Sequence, residues 1–468
     1  MTDLILAGGT VVTAEGSFPA DLAVTGEVIS AVGVDLPHNG AEVVDVSGAR
    51  LMPGFIDGHT HMDMPFGGTV SADDWDSGTA AALAGGTTTI VDFSLQDVDG
   101  SLAEAVETWH GKAAGKTHID YGLHVAVTNL TEAVKEELPS LPDLGVSTVK
   151  IFMAYKGTPL FTDDEGLFEV LEIARDCGLL VLVHAENGDV VAKLQQEALA
   201  RGDTAPRFHA TTRPEAAEAE ATSRAIRLAE IAGAPLLVVH VSCQPALEEV
   251  QRAHRRGLPV YAETCPQYLV FTEADLARPG FEGAKYVLSP PLRDPRNHDP
   301  LWLGLQTQDL QIFGSDHCAF NFAGQKELGR DDFTLIPNGA PGAEERAQVL
   351  WTHGVATGRI TENLMVAVLA TNQAKIHGMA GRKGALVPGA DADIVVWDPD
   401  QTTTVTAANR HGALDYTPYE GMSFTGGPAS VYVRGALAYR DGEVLAEAGS
   451  GRFVHRAFRR PAPGPAVR

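Results

Sequence analysis

The chain has 468 residues, 44% of them hydrophobic, enough for one large domain and a smaller companion. Its formal charge of −26 argues against nucleic acid and anionic membranes as partners, since both would repel such a surface. Met1-Thr2-Asp3-Leu4-Ile5 carries no positive leader, no apolar run approaches the ~20 residues of a membrane span, and the four cysteines, at 177, 243, 265 and 318, form no C-x-x-C pair, so the chain reads as cytoplasmic with free thiols.

In chain order, Asp3–Val34 shows short strands broken by turn pairs such as Thr25-Gly26, an antiparallel hairpin signal. From Leu51 the pattern changes to short β-branched runs alternating with amphipathic stretches, the signature of repeated βα units. Eight runs are predicted as strands: Leu51–Asp57, Thr87–Phe93, Tyr121–Thr128, Thr148–Met153, Leu179–His184, Pro235–Val241, Leu258–Glu263 and Leu310–Gly314. Helix starts are signalled by the spacings Ser101/Glu104, Thr162/Glu165 and Thr212/Glu215, and stops by Gly178, Gly233 and Gly257. After Glu165, Leu167, Val170, Leu171 and Ala174 form one apolar helix face. Together these predict an α/β protein with a (β/α)8 TIM barrel over residues 53–378.

Ala392–Leu445 returns to hairpin signals, including Asp441-Gly442. Neither β-rich end can bury a core alone, so 1–52 and 379–450 are expected to pair into one small β-sandwich. Residues 451–468 hold five arginines and no acid, with Phe453, Val454 and Phe458 as apolar anchors, and are expected to dock on a neighbouring subunit. Beyond Pro461 a solvated terminus is the equal alternative.

Barrel chemistry sits at the C-terminal ends of the strands. His59 and His61, spaced i, i+2, follow the first run and point to the same side of an extended chain. Lys150 lies in the fourth run, His184 ends the fifth, His240 lies near the end of the sixth, and Asp316 follows the eighth. Any single histidine is more often structural, and His124 in mid-strand and His254 in a helix keep that reading. Four histidines and an aspartate that can converge read as a metal site. Lys150 is the odd member, because an ammonium beside cations in an apolar strand is disfavoured. A structural ion pair is one reading. The other is a carbamate formed with carbon dioxide, which would turn the lysine into an anionic bridge and offset the charge of two divalent ions.

The motifs narrow this further. Gly54-Phe55-Ile56-Asp57-Gly58-His59-Thr60-His61, Val149-Lys150-Ile151-Phe152-Met153-Ala154-Tyr155-Lys156, Val183-His184-Ala185-Glu186-Asn187, Ser289-Pro290-Pro291-Leu292-Arg293, Gly314-Ser315-Asp316-His317-Cys318 and Ile336-Pro337-Asn338-Gly339 resemble the dihydropyrimidinase and D-hydantoinase branch of the amidohydrolases over essentially the whole chain. The resemblance implies a homotetramer or homodimer of barrel-plus-sandwich subunits that opens small cyclic amides with two divalent ions, zinc by analogy. It implies that His59, His61, Lys150 and Asp316 hold one ion, that carboxylated Lys150, His184 and His240 hold the other, and that Asp316 moves the proton. It further implies that Tyr155 meets the oxyanion and that Ser289 and Asn338 meet the substrate ring. Met64, Pro65, Phe66, Phe152, Leu160 and Phe161 are apolar where a ring substituent would project, and are expected to set specificity.

Three other readings compete with this one. A dihydroorotase pattern would place arginine where Asp63 stands, and an acid there would repel a substrate carboxylate. Allantoinase is a second enzyme reading. The third, a catalytically silent dihydropyrimidinase-like scaffold, would lack metal ligands, whereas all six positions are filled here.

Overall fold

The structure, a computed structural model, describes residues 2–458. Its centre is a sheet of eight parallel strands, numbered here β1 (Phe55–Thr60), β2 (Thr87–Leu95), β3 (Asp120–Ala126), β4 (Thr148–Phe152), β5 (Leu180–His184), β6 (Leu236–Val238), β7 (Val260–Thr264) and β8 (Ile312–Phe313). They pair in sequence order from β1 to β8. The ring is drawn shut next to the site. Thr60 bridges to His317, the His61 N–H donates to the His317 carbonyl at 2.8 Å, and the buried Arg346 guanidinium donates to the carbonyls of Ile56 (2.9 Å) and Phe313 (2.7 Å). All eight predicted strands are present, so the chain is a TIM-like barrel.

The outer helices follow from local chemistry. Helix α1 (Leu102–Ala113) starts with the Ser101/Glu104 capping box in place. The other two spacings form no box. Helix α2 (Asp164–Cys177) is capped by Asp163, whose side chain accepts from the Gly166 N–H, and helix α3 (Glu215–Ala232) starts after Pro214 with no side-chain cap. A nearer acid in one case and a proline in the other displace the threonine. Leu167, Val170, Leu171 and Ala174 are buried, as their period requires. Gly178, Gly233 and Gly257 take φ of 78°, 69° and 70°, a region that favours glycine at helix ends.

The first predicted strand is in fact shared between two sheets. Arg50–Pro53 pairs antiparallel with Ile394–Trp397 in a seven-stranded sheet of both chain ends, while Phe55–Thr60 enters the barrel. Gly54 is the passage, and a Cβ there would lie 2.2 Å from Thr88 Oγ1 and 2.8 Å from Asp393 Cβ. Gly54→Ala is therefore expected to destabilise the protein by about 1–3 kcal/mol, the usual cost of overpacking, read as a lowered unfolding midpoint. A four-stranded sheet of Val28–Gly33, Asp21–Thr25, Leu4–Ala7 and Glu42–Asp45 packs on the seven-stranded one. Leu6, Val11, Leu22, Ile29, Leu51 and Ile394 fill the space between them. Neither end could enclose that core by itself.

Phe453, Val454 and Phe458, expected against a neighbouring subunit, lie on the chain's own barrel. The Tyr121 N–H donates to the Arg452 carbonyl (2.9 Å) and the Val454 N–H to the Tyr121 carbonyl (2.7 Å), so the tail takes up backbone groups that β3 leaves open. The ring of Phe453 meets His110 and Tyr121, and Phe458 packs against the cluster that includes Leu180 and Ile312. Arg456 is buried and donates to the Leu123 carbonyl and, at 3.0 Å, to Thr148 Oγ1. Arg459, Arg460 and Arg468 lie outside the described residues. Among the described residues no helix is long and apolar enough to cross a membrane, and all four cysteines are free.

Candidate metal centre

The strand ends bring the six predicted ligand residues together. His59 is in β1 and His61 directly after it, Lys150 is in mid-β4, His184 closes β5, and His240 and Asp316 follow β6 and β8. All six line one small cavity of about 40 Å³, together with Met64, Phe66, Phe152, Tyr155, Ser289, Cys318, Asn338 and Gly339. His59 Nε2 and His61 Nε2 lie 3.1 and 3.3 Å from Asp316 Oδ1, and donor atoms of these three residues fall within 4.8 Å of one another. Across the cavity the His184 and His240 rings stand 4.6 Å apart, and His240 is 5.4 Å from His59. Tyr155, His240 and Asp316 have left-handed φ of 65°, 43° and 53°, strained for residues with a Cβ. Such strain, held by surrounding structure, concentrates at sites of function.

The electrostatics favour bound cations. Burial pushes the Asp316 carboxyl up, but His59 and the hydrogen bonds from His59 and His61 hold it well below the usual range. Burial pushes His61 down to about 4 and drives His240 well below its ordinary value, so both offer lone pairs. His59 resists burial because Glu263 and Asp316 flank it, and is raised to about 9. Its Nδ1 lies 2.6 Å from Glu263 Oε1, which fixes the ring and leaves Nε2 toward Asp316. Lys150 is buried, and among the described residues no carboxylate lies within 4.0 Å of its amine. The Phe93 and Phe152 rings stand 5.0 and 5.2 Å from Nζ. Desolvation brings the amine down to about 8. The ion-pair reading of Lys150 thus has no partner, and the donor set, imidazoles and a carboxylate around a buried amine, fits divalent ions.

Three supporting residues escaped the sequence reading. Glu263 lies next to the end of β7, behind His59. Glu186 accepts from His184 Nε2 at 2.7 Å, which leaves His184 Nδ1 free to ligate, and Arg213 Nη1 donates to the same carboxylate oxygen at 2.6 Å. Burial pushes Glu186 up, but Arg213 and His184 bring it to about 2, so it stays ionised. An acid inside a buried strand end was the available signal for Glu263, and the quoted His184-Ala185-Glu186 run for Glu186. Glu186→Gln should weaken metal binding at the His184 and His240 side about tenfold to a hundredfold, the usual effect of losing such a partner, as read by titration against a chromophoric chelator.

The substrate-side residues divide. Asn338 Nδ2 donates to Ser289 Oγ at 3.1 Å at the cavity wall. Burial raises the Tyr155 hydroxyl, so it keeps its proton and can donate. The small cavity opens beside a larger one of about 700 Å³, and Phe66, Tyr155 and Asn338 line both. Pro65, Leu160, Leu335 and Ile336 line the outer space. Phe161 lines neither; its backbone bridges to Phe152 and its ring covers the Lys156 ammonium at 4.3 Å. Asp63 is also outside both cavities, 3.8 Å from Lys112 Nζ.

With this geometry in hand, the chain matches the Amidohydrolase family over residues 50–438. The chain belongs to the amidohydrolase family. It is 50% identical to a D-hydantoinase of Geobacillus stearothermophilus over 98% of this chain and 97% of the relative, and 42% identical to a dihydropyrimidinase of Rattus norvegicus over 97% and 88%. The crystal structure of a dihydropyrimidinase from Brevibacillus agri superposes with a TM-score of 0.97 at 50% identity, covering 98% of this chain and all of that one. Within the amidohydrolases, the chain lies in the hydantoinase and dihydropyrimidinase branch.

Proposed function

We propose that this amidohydrolase opens cyclic amides and imides, converting 5,6-dihydropyrimidines and 5-substituted hydantoins to N-carbamoyl amino acids. The observation that carries the reading is the meeting of His59, His61, Lys150, His184, His240 and Asp316 in one cavity at the barrel's strand ends. The relatives named D-hydantoinase and dihydropyrimidinase support it.

His59, His61, Lys150 and Asp316 would hold one divalent ion, and Lys150, His184 and His240 the other, zinc in both places, with Lys150 as N6-carboxylysine. Bound there, the ions supply Lewis acidity toward the scissile carbonyl and lower the pKa of a nucleophilic water. Asp316 takes the proton of the attacking water as the C–O bond forms and delivers it to the ring nitrogen as the C–N bond breaks. The Tyr155 hydroxyl donates to the carbonyl oxygen as charge develops there. Ser289 and Asn338 orient the ring, and Met64, Phe66 and Phe152 exclude bulk water from it. Substituents at C5 project into the outer cavity past Phe66 and Leu160. We place this activity in the cytoplasm, in a homotetramer.

The test is a panel of dihydrouracil, hydantoin, 5-phenylhydantoin, dihydroorotate and allantoin with metal-loaded protein, each read by ring opening. Turnover of one or more of the first three is expected. No turnover of any of them overturns the reading.

A further inference from the structure

The two loops that carry Ser289 and Asn338 are tied together by a lysine behind them. Lys326 is fully buried at the start of a short helical turn, and among the described residues it forms no ion pair with a carboxylate. Its ammonium donates to the carbonyls of Val287 (2.8 Å), Pro337 (2.6 Å) and Gly339 (2.7 Å). These three bonds use all three of its protons. The Gly339 N–H also donates to the Val287 carbonyl at 3.0 Å, so the two loops are joined twice. Gly339 has φ of 148°, and a Cβ there would lie 2.2 Å from the Cys318 carbonyl. Only glycine lets the loop come this close.

The alternation along the loops is what ties the clasp to the cavity. Carbonyls 337 and 339, on either side of Asn338, and carbonyl 287, two residues before Ser289, turn back to the ammonium, whereas the Ser289 and Asn338 side chains line the cavity and meet each other at 3.1 Å. The adjoining Gln325 extends the tie to a third loop, since its Nε2 donates to Thr69 Oγ1 (2.8 Å) and the Val70 carbonyl (2.7 Å), next to the strand holding Phe66. A buried ammonium without a counter-ion is costly, and burial brings this one down to about 7; its neighbours are the Cys318 thiol, the Phe320 ring at 5.7 Å and His209, which burial pushes down to about 3 and keeps neutral. A leucine or methionine would fill the same core space at less cost, so a lysine here points to a task beyond filling space.

We infer that Lys326 is a positioning residue that sets the substrate-ring subsite, holding the Ser289 and Asn338 loops at the spacing a planar cyclic amide requires. The inference rests on the proposed cyclic-amide activity for its substrate, although the loop geometry can be read without turnover.

The test is Lys326→Met, with Lys326→Gln as a shorter neutral donor, both as full-length metal-loaded protein. For Lys326→Met we expect unchanged metal content, KM raised about tenfold or more with kcat within about threefold, the pattern of lost binding rather than lost chemistry. Hydrogen exchange should quicken at residues 287–289 and 337–339 and not in the barrel strands. Lys326→Gln should fall between the two on both readouts. An unchanged KM, exchange that quickens throughout the barrel, or a variant that fails to fold or loses metal would overturn the inference and assign Lys326 to the core alone. If the wild-type protein opens none of the cyclic amides, the functional reading fails by itself, and the exchange pattern still decides whether Lys326 holds the loops.

Discussion

Asp316→Asn should lower kcat/KM by about a thousandfold or more while the fold persists. Asp316 Oδ1 faces His59 Nε2 and His61 Nε2 at 3.1 and 3.3 Å, so the residue is placed both to ligate and to exchange a proton at the reacting bond. An asparagine keeps the shape and one oxygen, but its carboxamide cannot accept a proton near neutral pH. General acid–base catalysis contributes about a hundredfold to ten-thousandfold, and Asp316 would serve in both directions. The left-handed backbone at 316, with φ of 53°, favours asparagine as much as aspartate, so folding should survive. Steady-state rates on protein with confirmed metal content are the check. A kcat/KM within about tenfold of wild type would remove Asp316 from proton transfer.

Lys150→Ala should lose metal and activity together, with turnover down by about three orders of magnitude or more. The amine sits among His59, His184, His240 and Asp316 with aromatic rings on two sides and no paired carboxylate, a position that only an uncharged or carboxylated lysine fits beside cations. Lys150→Arg, which keeps a positive charge and cannot form the carbamate, should behave like the alanine variant. Metal content by elemental analysis and rates measured on the same preparation give the result. Two ions and full activity in either variant would show that Lys150 bridges nothing.

Where sequence and structure can be compared, the ligands were the easiest part to read, because their signal is local. His59 and His61 are two residues apart, and His184, His240 and Asp316 stand at the ends of β-branched runs that the barrel requires to converge. Strand β1 was harder, since a continuous apolar run from Leu51 hides a change of sheet that only the close approach at Gly54 reveals. Two helix starts differ from the threonine signals because Asp163 and Pro214 compete with the threonines nearby in sequence. The left-handed conformations of Tyr155, His240 and Asp316 leave little mark in the sequence, since none is glycine and aspartate and histidine are only enriched there.

The supporting residues were hidden for a different reason. Arg213, Glu263 and Lys326 act across distances in sequence that no spacing rule spans; Arg213 is 27 residues from Glu186 and Glu263 is 204 from His59, whereas Glu186 is only two from His184. A charged residue in a largely apolar strand was the signal that Glu263 left. Lys326 follows Gly324-Gln325 in what reads as a polar loop, so its burial is legible only in three dimensions. The arginines and aromatic residues of the tail suggest a partner surface, and in the structure Phe453 and Val454 lie along the open edge beside β3 of the same chain, a contact that no spacing in the sequence signals.

The central claim, that six residues from five strand ends form one two-metal centre bridged by a modified lysine, is tested most directly by crystallography of zinc-loaded protein near neutral pH with data at the zinc absorption edge. The account predicts two anomalous peaks, one bounded by His59, His61 and Asp316 and the other by His184 and His240, with planar density beyond Lys150 Nζ reaching both. A single peak, or two peaks with a bare amine at Lys150, would contradict it.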